Sequence, residues 1–285
     1  MFGEVLISEA SFNCELISGY NSLNIIEKGI CYSTSNDPNI YSNKVLSNNN
    51  YENISLSIHN LNPNTHYFFR AYIKSNYGTE YSNSYSAYTK PAPSPILFNP
   101  SISYGSVQDN ENNTYKTVTI GAQTWMAENL KVSHFNNGDD INTSVGSFSA
   151  AQICYKNEPM YKDVFGLLYN GYVIIDSRGV CPTNWHIPKK NEWDILLTNS
   201  IVDLNETGSD HWSNPNSNTN LSGFTALPAG YSLGSFIQLN DTGDWWGNTS
   251  NDNNSTIFNI LISKTNRSNY YDSKENMFSI RCIKD

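Results

Sequence analysis

Long apolar runs, clustered basic residues and closely spaced cysteines are all missing from this sequence. No segment reaches the 18 apolar residues of a membrane-spanning helix, so we expect no transmembrane segment. The 17 Lys and Arg residues are scattered and the net charge is −9. This excludes a nucleic-acid partner, because phosphate binding needs clustered positive charge. The five cysteines form no Cys-x-x-Cys and have no histidine at ligand spacing, so a zinc site is not expected.

Catalytic motifs are scarce as well. The sequence has no His-Glu-x-x-His and no Gly-rich phosphate loop. Neighbouring acids, such as Asp139 with Asp140 and Asp241 with Asp244, lie in Asn-rich segments. Carboxylates in such segments are typical of solvated turns rather than of a glycosidase pair. We therefore predict that the protein is not an enzyme.

The sequence is poor in charged residues and rich in polar turn-forming residues and tyrosines. Only 15% of the residues are charged, whereas Asn, Ser, Thr and the 19 tyrosines are abundant. This composition favours strands, turns and polar loops over helices. We predict a mostly β protein with short helices, organised as a β domain followed by an α+β domain.

The N-terminal part alternates short apolar and polar segments between Asn, Gly and Pro turns, which is typical of a β-sandwich. The predicted strands are 10–17, 27–33, 54–58, 67–75 and 84–89. The segments Lys28 to Ser35, Ile58 to Tyr72 and Asn76 to Tyr81 resemble a fibronectin type III domain of bacterial surface proteins. The resemblance implies a sandwich over residues 1–91 that acts as a spacer.

A Pro-rich segment, Lys90-Pro-Ala-Pro-Ser-Pro95, follows this domain. Proline-rich segments are extended and stiff, so we predict a linker over residues 92–104. The second domain is then expected to span residues 105–285.

The second domain carries a series of motifs in fixed order. They are 107–121, 123–130, 154–170, 178–193, 221–231, 244–250 and 278–285. Together they resemble the Fibrobacter succinogenes major paralogous domain. The resemblance implies a C-type-lectin-like fold, related to formylglycine-generating enzymes and to diversified receptor-binding proteins of phages and gut bacteria. It further implies a compact core with ligand-facing loops.

Large apolar side chains of these motifs are the expected core, and Asn-rich stretches are the expected loops. The predicted core anchors are Trp125, Tyr169, Trp185, Trp193, Phe224 and Leu227. The predicted loops are 136–147, 205–222 and 240–256. A short helix through Leu197 is expected to bury Trp193 and Leu196, although Lys189 and Lys190 replace the N-cap residues of relatives.

The cysteines predict one or two disulfides and a leftover thiol in an exported chain. A bridge from Cys181 to Cys282 would close a loop of about 100 residues, a constraint of roughly 4 to 5 kcal/mol. Because some relatives lack the cysteine equivalent to Cys181, a bridge from Cys154 to Cys282 is the alternative. In the first domain, Cys14 shares a face with Phe12 and Leu16, so a second bridge to Cys31 is also considered.

The C-terminal part is expected to bind the ligand, as in the diversified receptors. Its Tyr, Trp, Asn and Asp residues are typical of adaptable binding surfaces. The candidate ligand-binding residues are Tyr231, Asp241, Asp244, Trp245, Asn248, Tyr270 and Tyr271. We place Trp246 in the core and Trp245 nearer the ligand. No cofactor is expected; calcium at the oxygen-rich segment 109–113 is the alternative to a plain hairpin turn there.

These observations predict a bacterial surface or secreted adhesin that presents a lectin-like domain to a glycan or a cell-surface protein. The alternative is a structural or assembly component of a surface appendage or envelope complex, and an enzyme with an unrecognised site is the third reading. Residues Met1 to Gly3 do not form a signal peptide. We therefore expect a preceding export signal or lipid anchor that tethers the protein to the envelope, with the domains outside the cell.

Overall fold

The computed structural model describes residues 2–15, 24–48, 53–144, 146, 148–199, 203–213, 218–251, 256–263 and 266–285. Strands dominate and the helices are few and short, which confirms the mostly β prediction. The chain divides into two compact units, Met1–Ala92 and Pro93–Asp285. Each unit is described by itself.

The first unit consists of two sheets. Its strands are β1 (Phe2–Val5), β2 (Ala10–Glu15), β3 (Ile25–Ser33), β4 (Asn43–Leu46), β5 (Asn53–Ile58), β6 (His66–Ser75), β7 (Gly78–Tyr81) and β8 (Tyr85–Tyr88). One sheet has the order β1-β2-β5; the other has the order β4-β3-β6-β7, with β8 also on β6. The part of the first predicted strand that runs on to Leu16 and Ile17 lies outside the described residues.

The two sheets share an aromatic core. Phe12 of β2 contacts Phe69 of β6 with ring centroids 4.6 Å apart, and both side chains are fully buried. The hydroxyl of Tyr67 accepts a hydrogen bond from the backbone N–H of Asn62 at 3.1 Å, which fixes the turn that enters β6. The layered arrangement agrees with a β-sandwich, and the fibronectin type III assignment stays a prediction.

The considered bridge between Cys14 and Cys31 is wrong, because both cysteines are free thiols. Cys14 lies in the core cluster together with Ile30. Successive side chains of a strand point to opposite faces, so Cys31 points away from that core. Its thiol instead lies 3.3 Å from the carbonyl oxygens of Pro38 and Arg70, either of which can accept its hydrogen.

The second unit contains thirteen strands and three α-helices among its described residues. They are β9 (Gly105–Gln108), β10 (Thr114–Ile120), β11 (Gln123–Met126), β12 (Gln152–Ile153), α1 (Pro159–Phe165), β13 (Leu168–Asn170), α2 (Gly171–Ile174), β14 (Trp185–His186), α3 (Lys190–Asn199), β15 (Tyr231–Ser232), β16 (Phe236–Ile237), β17 (Thr242–Ser250), β18 (Thr256–Ser263), β19 (Arg267–Ser273), β20 (Met277–Ser279) and β21 (Ile283–Lys284). A 3₁₀ turn spans Tyr155–Asn157.

Two sheets organise these strands. One has the order β14-β21-β11-β10-β9, so the C-terminal strand β21 lies between β14 and β11. The other has the order β12-β13-β20-β17-β18-β19, with β15 on β20 and β16 on β15. The candidate ligand-binding residues of β15, β17 and β19 therefore lie in the same sheet.

The predicted linker is largely part of the second unit, which begins at Pro93. The backbone N–H of Leu97 donates to the buried carboxylate of Glu206 at 2.7 Å. The side-chain amide of Asn99 donates to the carbonyl oxygen of Thr219 at 2.9 Å. Because these bonds tie the segment to residues more than 100 positions away, it does not behave as a free connector.

Two buried clusters form the core of the second unit. We name the first the tryptophan cluster: Trp125, Trp193, Leu196, Leu204, Trp212, Phe224, Ala226, Trp245, Phe258, Ile260, Ile262 and Ile283. The other, the disulfide cluster, includes Tyr169, Cys181, Trp246, Phe278 and Cys282. Of the predicted core anchors, Trp125, Tyr169, Trp193, Phe224 and Leu227 are fully buried, whereas Trp185 is only partly buried against the disulfide cluster.

A disulfide joins Cys181 to Cys282 across a sequence separation of 101 residues. The predicted pairing is confirmed, and the alternative with Cys154 is wrong, because Cys154 is a free thiol. The Cys154 thiol donates instead to the carbonyl oxygen of Glu158 at 2.7 Å.

Helix α3 begins without the N-cap side chain of its relatives, as the sequence predicts. The carboxylate of Glu192 accepts from the backbone N–H of Lys189 at 2.7 Å, which is the second half of a capping box. The backbone N–H of Lys190 donates to the Thr249 hydroxyl of β17 at 3.0 Å. The Thr249 hydroxyl of β17 therefore satisfies one of the free N–H groups at the start of the helix. Trp193 and Leu196 of this helix are completely buried.

Candidate functional site

Strands β17, β18 and β19 present two different faces. Trp246 lies opposite Asn259, and Asn259 lies opposite Tyr270. Residues directly opposite each other on antiparallel strands share a face, and every second residue along a strand does too. Asp244, Trp246, Asn259, Tyr270 and Asp272 therefore lie on one face, which we call the polar face. The opposite face carries Trp245, Phe258, Ile260 and Ile262 and belongs to the tryptophan cluster.

Trp245 is completely buried in the tryptophan cluster, so the prediction that it lies near the ligand is wrong. Its ring centroid is 6.2 Å from that of Phe224 and 6.4 Å from that of Trp193. Its indole N–H donates to the side-chain oxygen of Asn129 at 2.8 Å. Trp246 is also fully buried, as predicted, because β17 is covered on both faces here.

A fully buried arginine packs against the tryptophan cluster. Arg281 donates through Nε and Nη2 to the side-chain oxygen of Asn129, at 3.2 and 2.8 Å. It also donates to the carbonyl oxygens of Phe224 and Thr225. Its guanidinium carbon lies 4.3 Å from the ring centroid of Phe224. Burial lowers the pKa of Arg281 to about 9. We assign this group a structural role.

Asp244 is the buried acid of the polar face, with only 2% of its surface exposed. Burial raises the pKa of Asp244 to about 7, and the charge of Asp272 acts in the same direction. A hydrogen bond from the Thr242 hydroxyl at 2.9 Å partly opposes this rise. Asp244 was predicted to touch ligand directly, but its burial places it behind the surface.

Asp272 and Asn259 form the centre of the polar face, and the sequence analysis singled out neither. Asp272 accepts from the side-chain amides of Asn259 at 2.9 Å and Asn276 at 3.2 Å. Asn259 is 2% exposed, and its side-chain oxygen is buried without a hydrogen-bond partner among the described residues. The available signal was a lone Asn inside the apolar run Ile257-Phe-Asn-Ile-Leu261.

Two tyrosines border this centre. Tyr270 lies on the polar face and is 52% exposed. Tyr231 is half-buried on β15, with its ring centroid 5.7 Å from that of Phe278. Burial raises the pKa of Tyr231, and the charges of Asp244 and Asp272 contribute to the increase. Tyr270 thus lies on the strand that carries Asp272, and Tyr231 lies beside the bridge of Gly230 with Gly243, the residue before Asp244.

The other three candidates lie elsewhere. Tyr271 is exposed at the edge of the opposite face, where its ring meets that of Phe258 at 5.9 Å. Asp241 and Asn248 are exposed near the two ends of β17, roughly 20 Å apart at the usual rise per residue. Asp241 accepts a hydrogen bond from the Ser213 hydroxyl. The predicted set is thus not a single site.

The oxygen-rich segment 109–113 forms the turn between β9 and β10. One carboxylate oxygen of Asp109 accepts from the backbone N–H groups of Glu111 and Asn113, at 2.8 and 2.9 Å. The other accepts from the Asn113 amide at 2.8 Å and the Tyr115 hydroxyl at 2.6 Å. A calcium ion here would have to displace these donors. Within the described ranges, no three His, Cys, Asp or Glu residues are grouped as metal ligands.

The segment Gly230-Tyr-Ser232-Leu-Gly234 matches the Gly-x-Ser-x-Gly pattern of serine hydrolases. In those enzymes the serine occupies a sharp turn between a strand and a helix. Here β15 continues through a hairpin into β16, and Ser232 is buried at 5% exposure. The local structure therefore does not form a nucleophile elbow.

Comparison with protein families identifies this second unit. Residues 118–284 match the Fibrobacter succinogenes major domain, which is more than half of the chain. The protein belongs to this family, and the recognition from its ordered motifs is confirmed. A search of curated proteins finds no match.

Family membership indicates a bacterial origin. The disulfide is compatible with an extracellular or surface location, because such bonds persist in oxidising surroundings. In the described part of the chain, none of the helices has the length and apolar character needed to cross a membrane.

Proposed function

We propose that the protein is a non-enzymatic bacterial surface or secreted binding protein that recognises a glycan or a protein through the polar face. In this proposal the second unit has a C-type-lectin-like fold. The first unit is a fibronectin type III-like spacer. In this proposal the protein is tethered to the envelope by a signal or lipid anchor.

The proposal rests on one observation: an exposed tyrosine lies next to a buried polar side chain that the protein holds in a fixed position. Tyr270 presents an aromatic ring to solvent directly opposite Asn259, which is held in place by Asp272. Tyrosine rings with neighbouring amides and carboxylates are frequent in binding surfaces, because they combine apolar contact with hydrogen bonding. The rigid strands below would keep these groups in fixed positions.

A glycan array probed with the whole chain tests this function. We expect specific binding that is lost in Tyr270→Ala and kept in Tyr41→Ala, a matched tyrosine that is 92% exposed in the first unit. Parallel arrays with calcium and with a chelator decide whether a metal ion takes part. Glycan binding that persists unchanged in Tyr270→Ala would contradict the assignment to the polar face.

A second candidate is a component of a surface appendage or envelope complex. Strand β19 ends the path of its sheet and pairs with β18 alone among the described strands. An open edge of this kind can accept a strand from a partner protein. A blank array together with a stable complex recovered from envelopes, and lost when Asn269→Pro blocks β19, would favour this candidate.

A further inference from the structure

The polar face contains more hydrogen-bond acceptors than the described residues satisfy. Within that part of the chain, Asp244 accepts from one donor, the Thr242 hydroxyl, at 2.9 Å. The side-chain oxygen of Asn259 is buried and has no donor there either. The amide nitrogen of Asn259 is fixed on Asp272, so its oxygen cannot be exchanged for the nitrogen by a flip without losing that bond.

Burying an acceptor without a donor is unfavourable, so a group that donates to it would be stabilising. Among the ion pairs of the described residues, none includes Asp244 or Asp272. The register places Asp244 and Asp272 on either side of Asn259, each two residues from a residue that lies directly opposite it. An acid on each side of an amide oxygen without a donor favours a positively charged donor from outside.

The rim of this region is aromatic. Tyr270 shares the face with Asn259, and Tyr231 follows Gly230, which forms a bridge with Gly243, the residue before Asp244. Aromatic faces attract an ammonium group that approaches within about 6 Å. An ammonium also has three N–H donors and no acceptor, which matches a set of acceptors alone.

We infer that Asp244, Asp272 and the side-chain oxygen of Asn259, with Tyr231 and Tyr270 at the rim, form a subsite for a primary ammonium group of the ligand. This inference rests on the proposed function and names the chemistry that the polar face recognises. Asp272 is partly exposed and lies two residues from Tyr270 on the same face, so it is the acid that an ammonium from solution meets first. A lysine side chain of a protein and an amino sugar of a glycan both present this group.

The test measures binding of small amines to the isotope-labelled whole chain by NMR titration. The probes are Nα-acetyl-lysine methylamide and glucosamine. Their neutral counterparts are the Nε-acetylated lysine derivative and N-acetylglucosamine. We expect at least one free amine to bind at least tenfold more tightly than its acetylated counterpart and to shift the side-chain amide signals of Asn259. The amine that binds more tightly indicates whether the ammonium group of the natural ligand belongs to a protein or to a glycan.

Variants localise the subsite. Asp272→Asn should weaken amine binding at least tenfold, whereas Asp37→Asn, at an exposed acid of the first unit, should leave it unchanged. Tyr270→Ala keeps the inference testable if Asp272→Asn does not fold, and we expect it to weaken binding about threefold or more. Equal affinity for amine and acetylated probes would overturn the inference, as would unchanged Asn259 signals or wild-type affinity in Asp272→Asn.

The outcome is separable from that of the proposed function. Neutral glycans that bind the array through Tyr270, without any preference for free amines, would leave the proposed function intact and refute the ammonium subsite. Amine preference located on another surface would refute both the subsite and the polar face as the recognition surface.

Discussion

The two faces of β17 differ although they alternate residue by residue. Trp245 points into an aromatic cluster in which the donors of Arg281 and of the indole converge on Asn129. Asp244, its neighbour, points to a face where burial, with a smaller contribution from the charge of Asp272, raises its pKa and where the Asn259 side-chain oxygen has no donor among the described residues. Both faces leave polar groups without a partner among the described residues, but the groups differ in kind: the tryptophan cluster leaves the indole N–H donors of Trp193 and Trp212, whereas the polar face leaves an acceptor, the side-chain oxygen of Asn259. The polar face also includes the partly exposed carboxylate of Asp272, which is available to a ligand.

The largest effect that tests this comparison is expected from Trp245→Ala. Removing a fully buried indole leaves a cavity and removes one donor to Asn129, which should lower the free energy of unfolding by about 3 to 5 kcal/mol. Chemical denaturation measures it. A loss below about 1 kcal/mol would mean that the tryptophan cluster does not support the strand.

Asp244→Asn should raise the free energy of unfolding, and only at higher pH. The folded pKa of Asp244, about 7, is above the ordinary value of 3.8, so the folded state binds more protons between these values. Wild-type stability should therefore fall as the pH rises from about 4 to 7. The variant removes this decline and should gain up to about 4 kcal/mol at pH 8 and little at pH 4. Chemical denaturation of the wild type and the variant at pH 4 and at pH 8 measures this difference. An equal gain in stability at the two pH values would contradict the prediction.

Arg281→Lys tests whether the apolar face depends on the guanidinium geometry. A lysine keeps the charge but cannot reach Asn129, Phe224 and Thr225 together, since these acceptors surround a planar fork. We expect a loss of about 2 to 3 kcal/mol, measured by thermal and chemical unfolding. Lys284→Arg, which exchanges the same two side-chain types at an exposed position, is the control and should change stability by less than about 0.5 kcal/mol.

The smallest effects concern two adjacent tyrosines on opposite faces of β19. Tyr271→Ala removes the contact with Phe258 and should cost about 1 kcal/mol. Tyr270→Ala should change stability by less than about 0.5 kcal/mol while it reduces ligand binding. If the two variants were equally destabilising, Tyr270 would be part of the packed structure rather than of a recognition surface.

Much of the second unit could be predicted from local patterns. Aromatic residues spaced within alternating or motif segments, such as Trp125, Trp193 and Phe224, are buried because few other positions can cover so much apolar area. The pairing of Cys181 with Cys282 was predicted from their motifs. The mostly β character follows from the abundance of turn formers and tyrosines.

Other features depend on partners that no local pattern identifies. Asp244, Trp245 and Trp246 are all buried, so alternation along β17 cannot show which residue faces the ligand. The acceptors of Arg281 lie 56 to 152 residues away in sequence. In the first unit, the face of Cys31 is set by pairing with β6, which the position of the cysteine alone does not reveal.

The disulfide also has a mechanical consequence. Under a pulling force applied to the ends of this chain, the covalent link between Cys181 and Cys282 carries the load past the residues between them. At about 3.4 Å per extended residue, roughly 340 Å of contour length is thereby withheld from stretching. The loop that holds β17, β18 and β19 would remain unextended for as long as the bond is oxidised.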